Sequence, residues 1–192
     1  MRITKSDVIQ TATDMADKNG LSNVSLKVVA ESLNIRTPSL YNHIDSLEAM
    51  LREIAHNGMK TMNERMMQAA IGKIGDDAIK SVGITYLNYM IEHPGIYETI
   101  QWATWHGTEE TGKIFDNYLS LLKTLALSCN FNPVNIDEIL NLLTGVLHGY
   151  TTLQLRYAFT KPDEVRTALS TALDTVLAGL HQKYDQHEKG HL

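Results

Sequence analysis

The chain has a single cysteine, Cys129, so no internal disulfide can brace it, and a reducing, cytoplasmic setting is expected. Prolines occur only at 38, 94, 133 and 162, each at a helix start or boundary, which leaves the long stretches between them free to be helical. No segment approaches the roughly 18 consecutive apolar residues of a membrane span, so no membrane partner is expected. The opening MRITKSDVIQ carries charge but no apolar segment of a secretory signal. No run alternates polar and apolar residues long enough to make a strand. There is no G-x-S-x-G elbow, phosphate loop, dinucleotide fingerprint or paired-cysteine zinc pattern, so no catalytic residue, cofactor or metal site is expected. His187-Glu188-Lys189-Gly190-His191 matches H-E-x-x-H in letters only. That chemistry needs both histidines on one face of a rigid helix, and this stretch holds a glycine and no apolar packing residue.

Positive charge is also scarce. The net charge is −5 and the isoelectric point about 5.9. Residues 1–44 hold Arg2, Lys5, Lys18, Lys27 and Arg36 against Asp7, Asp14, Asp17 and Glu31, a net of +1, which leaves −6 for the remainder. The asymmetry has the sign a nucleic-acid binder needs but is small, so weak non-specific affinity and a shallow salt dependence are expected.

What is present reads as helix throughout. The spacing of apolar residues predicts helices over 5–19, 25–33, 37–44, 46–71, 76–93, 95–105, 108–129, 135–159 and 162–184, with Gly20, Gly72, Gly75 and Gly107 between them. The fold class is all-α: an N-terminal three-helix domain over 1–45, then a larger helical body over 46–192 entered through the helix 46–71.

The stretch 25–44, SLKVVAESLNIRTPSLYNHI, is the most informative. Ser25 is a good N-cap, and Leu26, Val29, Ala30 and Leu33 form one apolar stripe. Asn34 tolerates the left-handed backbone of a tight turn. Ile35 is expected to plug the corner between two helices. Thr37 is expected to cap the second helix, with Pro38 at its first position. Leu40 and Ile44 then point inward, while Arg36, Ser39, Tyr41, Asn42 and His43 share a polar outer face. This is the pattern of a helix-turn-helix, whose second helix enters a major groove of DNA.

Residues 4–58 resemble the DNA-binding domain of TetR-type (tetracycline-repressor-like) transcriptional regulators. The marks are an opening helix ending in NGL, then VSLKVVAESLNI, then TPSLYNHI running into a long helix. The pair Leu40-Tyr41 with His43 two residues on is the most specific. Two positions depart from the usual pattern: Ile44 stands where an aromatic is common, and Leu47 where a lysine often contacts phosphate. The resemblance implies a repressor that binds a palindromic double-stranded operator as a dimer. The expected DNA contacts are Ser25, Lys27, Arg36, Thr37, Pro38, Ser39, Tyr41, Asn42 and His43.

Eleven of the thirteen aromatic residues lie between Tyr86 and Phe159. Tyrosine and tryptophan bring donors that a pure core must satisfy, so this mix has the character of a ligand site. Tyr89, Met90, Tyr97, Trp102, Trp105, His106, Phe115, Tyr118 and His148 are the expected lining for a small apolar or aromatic effector. Trp105-His106-Gly107 is similar to the Trp-His-Gly stretch of one C-terminal domain type of the same family.

Residues 136–155 are apolar around most of the helix, with Gly145 and Gly149 four apart, so two faces need burial. Residues 165–184 carry one stripe of Val165, Leu169, Leu173, Val176, Leu177, Leu180 and Tyr184. The resemblance implies a homodimer through these two segments. Two other readings stay open: a helical ligand-binding or adaptor protein with a silent helix-turn-helix, and an all-helical enzyme, for which no catalytic constellation is present.

Overall fold

The computed structural model describes residues 3–159 and 161–184. Among these the chain is all-α, with nine α-helices: α1 (Lys5–Asn19), α2 (Leu26–Ser32), α3 (Thr37–Leu40), α4 (Leu47–Ala70), α5 (Gly75–Glu92), α6 (Pro94–His106), α7 (Glu109–Ser128), α8 (Ile136–Leu155) and α9 (Val165–Tyr184). Short 3-10 turns at Leu21–Asn23, Pro133–Asn135 and Pro162–Glu164 join some of them.

Local chemistry sets most of these ends. Thr4 and Asp7 form a reciprocal capping box: the Thr4 N–H donates to Asp7 Oδ2 at 2.8 Å and the Asp7 N–H to Thr4 Oγ1 at 3.2 Å. Ser25 accepts from the Val28 N–H at 3.3 Å, as its place before α2 predicts, and Ser46 accepts from the Ala49 N–H at 3.0 Å to start α4. Three helices are followed by a left-handed residue other than glycine, Asn34, Asn130 (φ 68° after α7) and Tyr157, and the first and last close their helices in the same way. After α2, Asn34 takes φ 54°, its N–H donates to Glu31 O at 3.0 Å, and the Ile35 N–H donates to Ala30 O at 3.0 Å. After α8, Tyr157 takes φ 54°, with the Tyr157 N–H on Gln154 O at 3.1 Å and the Ala158 N–H on Leu153 O at 2.9 Å. Each is the paired bonding that closes a helix by a reversed residue. The second explains why α8 stops at Leu155, short of the expected 135–159.

The chain divides into two compact units. The first comprises the described residues up to Thr61 together with Glu92–Phe115; the second comprises Met62–Ile91 together with the described residues from Asp116. Residues 92–115, which the sequence reading places in the C-terminal body, therefore pack in one unit with α1, α2 and α3. The core of the first unit includes Val8, Ala12, Val29, Ala30, Leu40, Ile44, Met50, Ile54 and Ile96. That of the second includes Met66, Val82, Leu87, Phe131, Ile136, Ile139, Leu147, Leu169, Leu173 and Leu177.

Candidate nucleic-acid interface and effector region

The helix-turn-helix is built by α2, the Asn34 turn and α3. Leu40 and Ile44 are buried, which turns the opposite side of α3 outward. Arg36, Pro38, Asn42 and Tyr41 are exposed there, Tyr41 at 56%, and Thr37, Ser39 and His43 are half-buried beside them. On α2, Lys27 is exposed and stands 4.0 Å from Glu31, and Ser25 is half-buried at the helix start. Two details differ from expectation. Arg36, not Thr37, occupies the cap position of α3, with no side-chain cap, and Thr37 is the first helical residue. The helix also covers Thr37–Leu40 instead of 37–44. Beyond Leu40 the backbone tightens: the N–H groups of Asn42 and His43 donate three residues back, to Ser39 and Leu40, before Ser46 opens α4.

Within the same unit α6 is fastened to the end of α1. Asp17 Oδ1 accepts from the Gly95 N–H at 2.8 Å and the Ile96 N–H at 3.2 Å, and Asp17 Oδ2 accepts from His93 Nδ1 at 2.8 Å. Pro94, at the start of α6, has no N–H to offer, so one carboxylate satisfies the donors of the first turn. The Leu21 N–H donates to Glu98 Oε2 at 2.9 Å. A Cβ on Gly95 would run into the backbone of Ala16 and Asp17, so only glycine permits this approach. Sequence reading missed this junction, whose partners lie 76–79 residues apart, and no local pattern marks it.

The nine residues expected around an effector fall in both units. In the first, Tyr97 is buried, Trp102 stacks on His106 with ring centroids 4.7 Å apart, and the Arg52 guanidinium donates to His106 O at 3.4 Å. Trp105 is 87% exposed, not a core residue. It lines an open pocket of ≈ 400 Å³ with Ala103, Thr108, Thr111 and Phe115. Thr111 also lies 2.8 Å from Nε2 of the buried His56. Burial pushes the His56 imidazole below its ordinary pKa, against the opposing pull of Glu110 3.9 Å away.

In the second unit, Tyr89, Met90 and Tyr118 are buried and His148 is half-buried. The Arg65 guanidinium lies 4.9 Å from the Tyr89 ring centroid. Tyr86, missing from the expected set, links the others. Its ring is 6.4 Å from that of Tyr118 and 5.6 Å from that of His148, and its hydroxyl is 3.3 Å from His148 Nδ1. Burial pushes the Tyr118 hydroxyl up to about 12, with the Thr144 side chain its hydrogen-bonding neighbour, and burial pushes His148 down.

The stripe on α9 serves this unit's own core. Val165, Leu169, Leu173, Leu177, Leu180 and Tyr184 are buried, Leu173 at 1% exposure, and only Val176 is half-buried. What faces out is a different set: Leu142 and Leu153 at 47% and 44% exposure, Gly145 and Gly149 on α8, and Thr175 and Gly179 on α9. A pocket of ≈ 580 Å³ lies between Leu142 and Glu138 on one side and Thr175, Val176, Gly179 and Lys183 on the other.

Cys129 is buried and its thiol donates to Leu125 O at 3.6 Å. Among the described residues no cluster of histidine, cysteine, aspartate and glutamate could hold a metal ion, and no helix is long and apolar enough to cross a membrane. The His187–His191 stretch lies outside the described residues.

Comparison with known proteins places this geometry. Residues 79–176 match the family model of the tetracyclin repressor-like C-terminal domain. Along 93% of both chains the protein is 29% identical to YobS of Bacillus subtilis (strain 168), described as an uncharacterized HTH-type transcriptional regulator. Among solved structures, a protein of unknown function from Rhodococcus sp. RHA1 superposes with a TM-score of 0.82 at 15% identity, covering 94% of this chain and 96% of the other. A single-residue variant of TetR from Acinetobacter baumannii AYE, solved in complex with minocycline, superposes with a TM-score of 0.71 at 18% identity, covering 94% and 98%. The helix-turn-helix, the family match over residues 79–176 and the relatives agree: this chain belongs to the TetR (tetracycline-repressor-like) family of DNA-binding transcriptional regulators.

Proposed function

We propose that this protein is a cytoplasmic, small-molecule-responsive repressor that binds a palindromic operator as a two-fold dimer. The observation that carries the reading is the outward polar face of α3 and its following turn, held in place by buried Leu40 and Ile44. Tyr41, His43, Thr37 and Ser25 are assigned to phosphate, helped by backbone N–H groups at the start of α2. Ser39 and Asn42 are assigned to base edges, and Arg36, Lys27 and Pro38 complete the contact surface. Asn42 can pair bidentately with adenine in the major groove. The outward face of α8 and α9 is the surface for a second copy. Leu142 and Leu153 supply apolar area, and Gly145, Gly149 and Gly179 leave open space for close approach. The expected effector is a small apolar or aromatic molecule bound among the aromatic residues of the helical body.

A mobility-shift assay on DNA upstream of the protein's own gene tests the reading. A discrete, competitor-resistant complex is expected. Absence of any specific complex would leave the helical ligand-binding protein with a silent helix-turn-helix, which the net charge of −5 favours. Within a positive assay, Asn42→Ala should cost about 1–3 kcal/mol on operator DNA and little on scrambled DNA. Tyr41→Phe should weaken both alike. Leu142→Glu should yield a monomer by light scattering and abolish operator binding, because one short helix offers few contacts. Leu173, being buried in its own core, is the wrong position for that test.

A further inference from the structure

The interior of the second unit contains hydrogen-bonding atoms that no described residue satisfies. Thr151 on α8 is fully buried, and its Oγ1 has no hydrogen-bond partner among the described residues. The buried side-chain oxygens Asn63 Oδ1, on α4, and Gln154 Oε1, on α8, also have none. A buried polar atom without a partner is costly, and native chains seldom keep one without a reason. Thr151 lies one helical turn beyond His148, on the side of α8 that meets Tyr86 and, through Tyr86, Tyr118. The neighbourhood of Thr151 is therefore aromatic and hydroxylated, and Gln154, one helical turn further on, adds an acceptor. It is also uncharged: among the described residues no Asp, Glu, Lys or Arg is buried. An ionised ligand here would lose its hydration and meet only His148, whose imidazole burial holds toward its neutral form.

We infer that the effector of this regulator is an uncharged aromatic molecule carrying at least one O–H or N–H donor, held by Thr151 beside Tyr86, Tyr118 and His148. The inference rests on the ligand-responsive reading above and narrows it. The aromatic rings supply the stacking area. The Thr151 hydroxyl can donate or accept and the Gln154 oxygen, one turn further along α8, can only accept, so a ligand O–H or N–H can serve both, whereas a ligand with no hydrogen-bonding group serves neither. The lack of a buried charge selects against carboxylates and amines of the same shape.

Three probes of one ring system separate these requirements: 2-naphthol, naphthalene and 2-naphthoate, titrated into the full-length protein without DNA by calorimetry. The expected order is 2-naphthol about tenfold tighter than naphthalene, with no measurable binding of 2-naphthoate. Thr151→Val keeps the shape and removes the orphaned hydroxyl. It should erase most of the 2-naphthol advantage and raise the melting temperature of the unliganded protein by about 2–4 °C. Equal binding of 2-naphthoate, an unchanged 2-naphthol preference in Thr151→Val, or a lowered melting temperature would each overturn the assignment. So would loss of binding in Trp105→Ala with none in Thr151→Val, which moves the ligand to the open pocket of the first unit. If none of the three probes binds, the orphaned groups are served by solvent alone and the proposal falls. The readout needs no operator. A protein that shifts DNA but ignores 2-naphthol refutes only this inference, and one that binds 2-naphthol but no DNA refutes only the regulatory reading.

Discussion

Both compact units pair polar groups across long stretches of chain, as His181 with Asp76 in the second, but they differ in what they leave unpaired. In the first, such groups are matched across long stretches of chain: Asp17 with His93, Gly95 and Ile96, and His56 with Thr111. In the second, the Asn63, Thr151 and Gln154 oxygens are left unmatched among the described residues. A satisfied buried network fixes one arrangement of its helices, whereas unmatched groups lower stability and reward anything that arrives to pair with them. For the ligand-responsive regulator proposed above, the division would follow the needs of each task.

The strongest way to break the contrast is to spoil the first unit at its tightest point. Gly95→Val drives a side chain into the backbone of Ala16 and Asp17, which cannot rotate away. A loss of about 3 kcal/mol is expected, read as a large fall in denaturation midpoint. Asp17→Ala should cost about 2 kcal/mol, because it strips two backbone donors and the His93 N–H of their acceptor at once. Asp17→Asn keeps one acceptor and should lose less. A neutral result for Asp17→Ala would mean that the first unit is not organised by this carboxylate.

Acid titration gives a smaller and subtler effect. His56 in the first unit and His148 in the second both have imidazoles pushed below the ordinary value of 6.5 by burial. Between the depressed folded value and 6.5, the unfolded chain holds more protons than the folded one. Stability should therefore be full above pH 6.5 and decline as the pH falls below it, before most carboxylates titrate. His56→Gln should remove part of that slope in chemical denaturation series run from about pH 7 to about pH 5. A slope unchanged in His56→Gln would assign the sensitivity to His148 alone.

Much of this was legible from sequence because it is local. Ser25, Asn34, Gly20 and the four prolines act on neighbours within a turn, and they place most helix ends within a residue or two of those observed. The same local logic failed where two solutions were nearly equivalent. Thr37 has the chemistry of a cap, yet Arg36 took the position, and the chain after Leu40 tightened into a turn to meet Ser46. Direction of burial was harder. The apolar stripe of α9 is real, but periodicity cannot say whether a stripe meets its own core or a twin, and Leu173 met its own core. Trp105 shows the converse, a large aromatic in a cluster of aromatics that faces solvent. Pairings such as Asp17 with Gly95 leave no trace in any window of sequence.

That last pairing also limits how such a regulator can be recombined. Gene fusions and domain exchanges treat a DNA-reading head as an interchangeable cartridge, joined to its sensor at the start of the long helix. Here a cut near residue 45 would carry Asp17 away with the head while leaving Gly95, Ile96 and His93 behind. The remaining half would inherit an uncapped helix start and a glycine shaped to a backbone no longer there. A foreign head can be grafted on only if its first helix ends in an acceptor at the same place, so lineages of this protein are expected to exchange α1 and α6 together or not at all.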